Sequence, residues 1–163
     1  MGCDIHSFVE YHIAGVREAW YFGTFDIGRN YVLFGLLAGV RCGGCLFQPR
    51  GLPDDMSFTL RYNASLRVSD EGGDGCISRE EADGLEACEL NKFGGYVDGT
   101  KMFVWNPDFH THSWLSCDEL QQVHSAYSAI EGAESPTLAA VLAAMTSLES
   151  SGVRSRFVFY FDS

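Results

Sequence analysis

Residues near the start of the chain alternate between two kinds of side chain, and this alternation predicts a β-strand over residues 3–13. Ala14 and Gly15 offer a turn, and the aromatic segment 20–25 suits the partner strand of a hairpin. Aromatic residues and valine predict another strand over 156–161, and residues 101–105 are a further candidate. Strands are therefore expected near both ends of the sequence.

Helices are predicted between these strands. Residues 31–40 are apolar on nearly every side, which is typical of a buried helix, and Gly43 and Gly44 are expected to end it. Serine caps, two of them in capping boxes and one followed by proline, indicate further helices. These helices are predicted from 78 to about 90, from 116 to about 130 and from 135 to about 152.

Between the apolar helix and the capped helices, proline and glycine predict a structured loop over 48–55. Residues 57–68 are compatible with either helix or strand. We expect one α+β layered domain over residues 1–163, in which an antiparallel sheet packs against about four helices. The sheet includes the N-terminal hairpin and the C-terminal strand. An acidic, insert-like segment lies around residues 68–100.

Composition agrees with one globular core, because 46% of the 163 residues are hydrophobic and 20% are charged. The longest apolar run is about half of the ~20 residues that a membrane helix needs, so no membrane association is expected. No basic segment followed by an apolar one marks the chain for export, which favours the cytoplasm. The six cysteines, including the Cys42 and Cys45 pair, are accordingly expected to be reduced thiols.

The net charge of −11 is unevenly distributed. Residues 1–67 carry six basic and six acidic side chains, whereas residues 68–163 carry five basic and sixteen acidic ones. Such a field repels duplex DNA, whose binding depends on neutralising phosphates with Lys and Arg. A small anionic ligand is still compatible with the arginines of the first part, and a basic protein partner is compatible with the second.

Two polar strips carry the residue types of a metal centre. If both are extended, each places three such side chains on one side of a strand. The strips are Asp4, His6 and Glu10, and Asp108, His110 and His112. Facing each other, they would suit Zn, Mn or Fe and would activate a bound water. Two alternatives are histidines that hydrogen-bond backbone carbonyls, and His110 with His112 as a metal-free acid and base.

Arginine and asparagine suggest an anion site. Arg29 and Asn30 precede the apolar helix, and Arg50 lies in the proline-rich loop. The guanidinium fork and the unpaired N–H groups of a helix start both suit phosphate or carboxylate. The alternative is that Asn30 only caps the helix and that the arginines pair with nearby aspartates.

Residues 70–81 match the twelve-residue EF-hand calcium loop with one defect, because Gly72 occupies the third position. The candidate calcium residues are Asp70, Asp74, Cys76, Ser78 and Glu81. Missing one oxygen ligand, such a loop would bind calcium weakly. The alternative interpretation is an acidic turn that leads into a capped helix.

Four sequence blocks occur in one order: MGCDIH, GRNY with LF and LAGVR, PRGLPDD, and HTHSW. Together they resemble a family of small, uncharacterised phage and prophage proteins. The resemblance covers mainly residues 1–57 and 108–120. It implies a phage or prophage origin and no particular reaction. It also implies one shared site, with these members: Asp4, His6, Glu10, Arg29, Asn30, Arg50, His110 and His112.

Two functions follow as hypotheses. The first is a metal-dependent hydrolase, resembling a phosphoesterase, that acts on a small phosphorylated or nucleotide-like ligand in phage counter-defence. Its ion, Zn or Mn, would be bound by Asp4, His6, His110 and His112, with Glu10 or Asp108 acting on the water. Arg29, Asn30 and Arg50 would bind the substrate. The alternative is a non-catalytic acidic protein that sequesters a small ligand or blocks a basic host protein.

Overall fold

The computed structural model describes residues 2–15, 20–41, 43–71, 73–85, 95–97 and 100–162. Its elements are β1 (Asp4–His12), β2 (Tyr21–Thr24), α1 (Tyr31–Ala38), α2 (Phe58–Asn63), β3 (Ser65–Val68), β4 (Cys76–Ile77), α3 (Arg79–Gly84), β5 (Gly95–Val97), β6 (Thr100–Trp105), β7 (His110–Leu115), α4 (Cys117–Glu131), α5 (Pro136–Ser150) and β8 (Arg154–Asp162). The chain is an α+β protein, as its sequence predicts. By their contacts the residues form two compact units, Met1–Ser57 with Phe109–Ser163, and Phe58–Asp108.

The first unit contains a four-stranded antiparallel sheet in the order β2-β1-β8-β7. The predicted hairpin is confirmed, because β2 pairs with β1. Strand β8 pairs with β1 from Asp4↔Asp162 to His12↔Arg154. Directly paired residues of antiparallel strands point to the same face. His6 and Tyr160 are such a pair, and this places the polar strip of β1 on the same face as the even-numbered residues of β8.

The opposite face of this sheet carries the main core of the first unit. Phe157, Phe159 and Phe161 of β8 are fully buried there against residues of α1, α4 and α5. Removing their apolar surface from water stabilises the fold by roughly 25 cal/mol per Å². The helices thus cover one face of the sheet, and the polar strip of β1 lies on the other.

The N-terminal caps of α1, α4 and α5 follow the sequence pattern. Ser116 and Glu119 form the predicted capping box, Ser135 caps α5, and the side chain of Asn30 accepts from the Leu33 N–H. Helix α1 ends earlier than predicted, since Gly39 adopts a left-handed conformation (φ 72°) as its C-cap. Glycine tolerates that conformation without steric cost, so the helix stops there rather than at Gly43 and Gly44.

Strand β7 contains a β-bulge that its sequence does not reveal. His110 pairs with Phe161 and Ser113 pairs with Phe159, so two residues of β7 lie opposite one residue of β8. Thr111 has a φ of 52°, which is unusual for a β-branched residue. The strict alternation expected for this strip is therefore interrupted between His110 and His112.

The second unit has its own mixed sheet in the order β4-β3-β6-β5, in which β3 and β4 are parallel. Val68, Ala82 and Val104 form a small core. The ambiguous segment 57–68 contains both predicted alternatives, since α2 is followed by β3. The capping box of Ser78 and Glu81 is confirmed at the start of α3, and residues 86–90, over which this helix was predicted to continue, lie outside the described residues.

No helix within the described residues is long and apolar enough to cross a membrane.

Candidate ligand-binding cleft

His6 of the first strip is paired with a carboxylate from the far end of the sequence. Its Nε2 lies 2.8 Å from Oδ2 of Asp162, and its ring stacks on Tyr160 at 5.0 Å between centroids. Burial alone would raise the pKa of Asp162, but hydrogen bonds from His6 and from the Asp4 N–H outweigh it and lower that pKa. Asp162 is thus an ionised partner that orients the imidazole.

Asp4 and Arg29 also form a salt bridge with each other. Nε and Nη2 of Arg29 donate to the two Asp4 carboxylate oxygens at 2.7 and 2.6 Å. This is the bidentate geometry in which arginine binds a carboxylate most strongly. Asn30 caps α1 and donates from Nδ2 to the Tyr127 hydroxyl at 2.8 Å. Both residues predicted to bind an anion near the start of α1 therefore have partners within the protein.

The histidines of β7 do not form one strip with His6. His112 lies beside Tyr160 at 5.7 Å between ring centroids, on the side away from β1, so Tyr160 separates it from His6. His110 pairs with Phe161, which points to the helix-covered face, and contacts the Thr111 hydroxyl at 2.8 Å. Burial, with a smaller contribution from His110, lowers the pKa of His112 to about 4.

The four predicted transition-metal ligands do not form one group, because Asp4 and His6 line a pocket that His110 and His112 do not line. Among the described residues, no three His, Cys, Asp or Glu side chains are grouped so that they could hold an ion. Asp108 belongs to the second unit, where its N–H donates to Asn106 at 3.1 Å. A zinc or manganese centre remains a prediction, and it would require these side chains to rearrange.

Glu10 is engaged in a buried network rather than facing a water site. Its Oε1 accepts from the Ser57 N–H at 2.7 Å, and its Oε2 accepts from Nε of Arg156 at 2.8 Å. Nη1 of Arg156 donates to Asp55 at 2.6 Å. Burial alone would raise the pKa of Asp55, but the hydrogen bonds from Arg156 and Trp20 outweigh burial and lower that pKa. This network fixes the end of the proline-rich loop to β1 and β8.

Arg50 fixes the other end of the same loop. Its Nη2 donates to Oε1 of Glu119 at 2.6 Å, and its guanidinium lies 4.6 Å from the ring centre of Trp114. The Arg50 N–H donates to the Ser113 hydroxyl, and the Gly51 N–H donates to the carbonyl of His112. The loop thus lies along β7. It carries Arg50 to the indole of Trp114.

A cleft of about 750 Å³ opens between these two anchors, and we call it the tryptophan cleft. Its volume falls within the range of about 300–1,000 Å³ typical of small-molecule sites. The guanidinium of Arg156 lies 3.7 Å from the ring centre of Trp20, and that of Arg154 lies 5.5 Å from it. The cationic and aromatic side chains of the cleft are Trp20, Trp114, Arg50, Arg154 and Arg156.

Sequence reasoning identified only Arg50 among the residues of this cleft. Trp114 follows His112 at a spacing of two, and Arg154 and Arg156 are two apart on β8. This spacing of two was the sequence signal that could have grouped these side chains, because residues two apart on a strand share a face. The pairing of β8 with β1, which the sequence does not reveal, brings Arg156 to Glu10.

The EF-hand-like loop lies in the second unit and follows a strand rather than a helix. Oδ1 of Asp70 accepts from the Arg79 N–H at 2.9 Å, and Oε2 of Glu81 accepts from the Ser78 N–H and hydroxyl. Hydrogen bonds from Ser78 lower the pKa of Glu81. Sγ of Cys76 accepts from Arg67. Gly72 and the Cys42 of the CxxC pair lie outside the described residues.

The fold and the cleft together define an α+β protein whose first unit carries a cleft lined by two tryptophans and three arginines. Comparisons with protein-family models, curated proteins and solved structures find no match.

Proposed function

We propose that this protein binds and sequesters a small phosphorylated, nucleotide-like ligand in the tryptophan cleft, without catalysis. The observation that carries the proposal is that two indole rings and three guanidinium groups line a single cleft. Trp20 and Trp114 are both partly buried, so each ring is held in place while part of it remains accessible. Rigid aromatic surfaces beside arginine match a ligand that has a flat ring and an anionic group.

The chemistry of tryptophan and arginine supports a site in which an indole binds the flat ring of the ligand and a guanidinium binds its phosphate. A base that stacks on an aromatic side chain contributes about 1–3 kcal/mol of binding free energy. A guanidinium offers phosphate a planar set of N–H donors and keeps its charge at any physiological pH. Within the described part of the chain, Arg154 is exposed and has no carboxylate partner, so it is the arginine available to a ligand.

Titration calorimetry with ribonucleotides, together with tryptophan fluorescence, tests the proposal. We expect saturable binding with quenching of the emission. Arg154→Ala should weaken binding by roughly ten- to a hundredfold, the value of one hydrogen bond to a charged group. Trp114→Phe should reduce the quenching.

Two variants of the second unit serve as matched controls. Arg79→Ala removes an exposed arginine that pairs with Asp70, and Trp105→Phe removes a buried tryptophan. Both should bind the ligand as the unmodified protein does. Binding that is unaffected by Arg154→Ala, in a variant with an unchanged melting temperature, would contradict the proposed site.

Metal-dependent hydrolysis of a phosphorylated ligand is the second candidate, and a separate pocket favours it. Asp4, His6 and Asp162 line a pocket of about 460 Å³ on the same unit. These are ligand types that suit Zn or Mn, and a carboxylate paired with a metal-binding histidine is a recurrent supporting contact. In this structure His6 is paired with Asp162, the Asp4 N–H donates to Asp162, and the Asp4 carboxylate is paired with Arg29.

Either function fits a phage protein that acts in the cytoplasm of a bacterial host, where removal of a signalling nucleotide would counter host defence. The acidic second part of the sequence also suits a basic host protein as a partner, through charge complementarity. The sequestering function is preferred, because the cleft is formed from side chains that are already in position.

A further inference from the structure

The charge balance of the tryptophan cleft limits how much negative charge its ligand can carry. Two of its three arginines are already neutralised within the protein. Arg50 is paired with Glu119 at 2.6 Å, and Arg156 is paired with Glu10 at 2.7 Å and with Asp55 at 2.6 Å. Among the described residues, Arg154 alone of the three lacks such a carboxylate.

Carboxylates also line the same cleft. Asp54, Asp55 and Glu149 contribute to its walls together with the arginines. Asp55 remains ionised at neutral pH, because its hydrogen bonds lower its pKa. Oε1 of Glu149 accepts at 2.9 Å from the hydroxyl of Ser155, the residue that follows Arg154, and both Glu149 and Arg154 line the cleft. A ligand with several phosphates would bring its additional charges close to these groups, and like charges placed together are costly.

We infer that the tryptophan cleft selects a nucleotide with a single phosphate group, a nucleoside monophosphate, over the corresponding di- and triphosphates. This inference rests on the proposed function and adds the ligand class to it. The flat base lies against an indole, and Arg154 binds the phosphate. The carboxylates disfavour a longer phosphate chain. Most nucleotide sites achieve the opposite preference by placing several unpaired donors around the phosphates, as a glycine-rich loop does.

The test compares the four ribonucleoside monophosphates with their matching triphosphates by calorimetry, at constant ionic strength and with EDTA present to remove magnesium. We expect at least one monophosphate to bind, with its triphosphate roughly tenfold weaker or more. Glu149→Gln keeps the acceptor for Ser155 but removes a charge, so it should strengthen triphosphate binding several-fold more than monophosphate binding. Glu131→Gln, an exposed change on α4 outside the cleft, is the matched control.

The outcomes distinguish failure of the proposed function from failure of the charge selection. If no nucleotide binds, both the proposed function and this inference are overturned. If a triphosphate binds as tightly as its monophosphate, or more tightly, with Arg154 still required, the proposed function stands and the charge selection is wrong. A Glu149→Gln effect equal to that of Glu131→Gln would also overturn the charge selection.

Discussion

At the scale of single residues, the buried imidazole of His112 makes stability depend on pH. Its pKa is about 4 in the folded protein and about 6.5 when unperturbed. The unfolded chain therefore takes up a proton as the pH falls below about 6.5, whereas the folded chain does not until about pH 4. The stabilising effect is complete above pH 6.5 and is lost as the pH falls toward 4. We expect the free energy of unfolding to decrease by about 2 kcal/mol between pH 7 and pH 5.

Urea unfolding at pH 7 and pH 5 measures this difference. His112→Gln and His112→Phe both remove the titrating ring but differ in packing. They should therefore differ in absolute stability and yet lose the pH dependence to the same extent. The pKa values of three carboxylates, Asp55, Glu119 and Asp162, are also lowered. These groups affect the free energy of unfolding at lower pH, since their stabilising effect is lost only as they become protonated. A wild-type pH dependence in both variants would show that the burial of His112 has no such consequence.

Residue types were easier to predict from the sequence than residue partners. Arg50 was singled out as an anion-binding candidate, and this remains a prediction, whereas its pairing with Glu119, 69 residues away, was not predicted. Arg156 and Glu10 are 146 residues apart and meet only because β8 lies beside β1. Local pattern carries no information on such pairings, so a sequence can suggest an arginine as a ligand-binding group when the fold has already neutralised it.

At the scale of elements, local signals predicted most helices and strands. Capping boxes mark α3 and α4 because their hydrogen bonds form within four residues, and alternation marks β1 because successive side chains of a strand point to opposite faces. The bulge in β7 escaped prediction for a physical reason. Thr111 has no intrinsic preference for a φ of 52°, so the register with β8 imposes this conformation. Because of that bulge, His110 and His112 do not lie on one side of the strand as the alternation predicts.

Calcium binding by the loop of residues 70–81 remains a prediction at this scale. It requires Asp70 and Glu81 to exchange their N–H donors for the ion, including the capping box of α3. We expect calcium binding, where it occurs, to appear as saturable heat at millimolar calcium. Glu81→Ala should abolish this heat, and Glu80→Ala, its exposed neighbour, should preserve it. A flat titration of the unmodified protein would rule the calcium site out.

At the scale of the whole molecule, the enzyme and the sequestering protein differ in what happens to the ligand. A sequestering protein returns it unchanged, whereas a phosphoesterase releases phosphate. We expect a nucleoside monophosphate incubated with protein and Zn²⁺ or Mn²⁺ to be recovered intact after denaturation, as measured by chromatography and phosphate release. The reason is that His6 is paired with Asp162 and Asp4 with Arg29, and that no three His, Cys, Asp or Glu side chains among the described residues are grouped to hold an ion.

The controls for this measurement separate the two sites of the first unit. Phosphate release that requires the metal and disappears in His6→Ala, but persists in Arg154→Ala, would establish the hydrolase and place its centre in the pocket of Asp4, His6 and Asp162. Recovery of intact ligand, with binding lost in Arg154→Ala and retained in His6→Ala, supports sequestration in the tryptophan cleft. Because the pocket and the cleft share no lining residue, each variant changes one site and leaves the lining of the other unaltered.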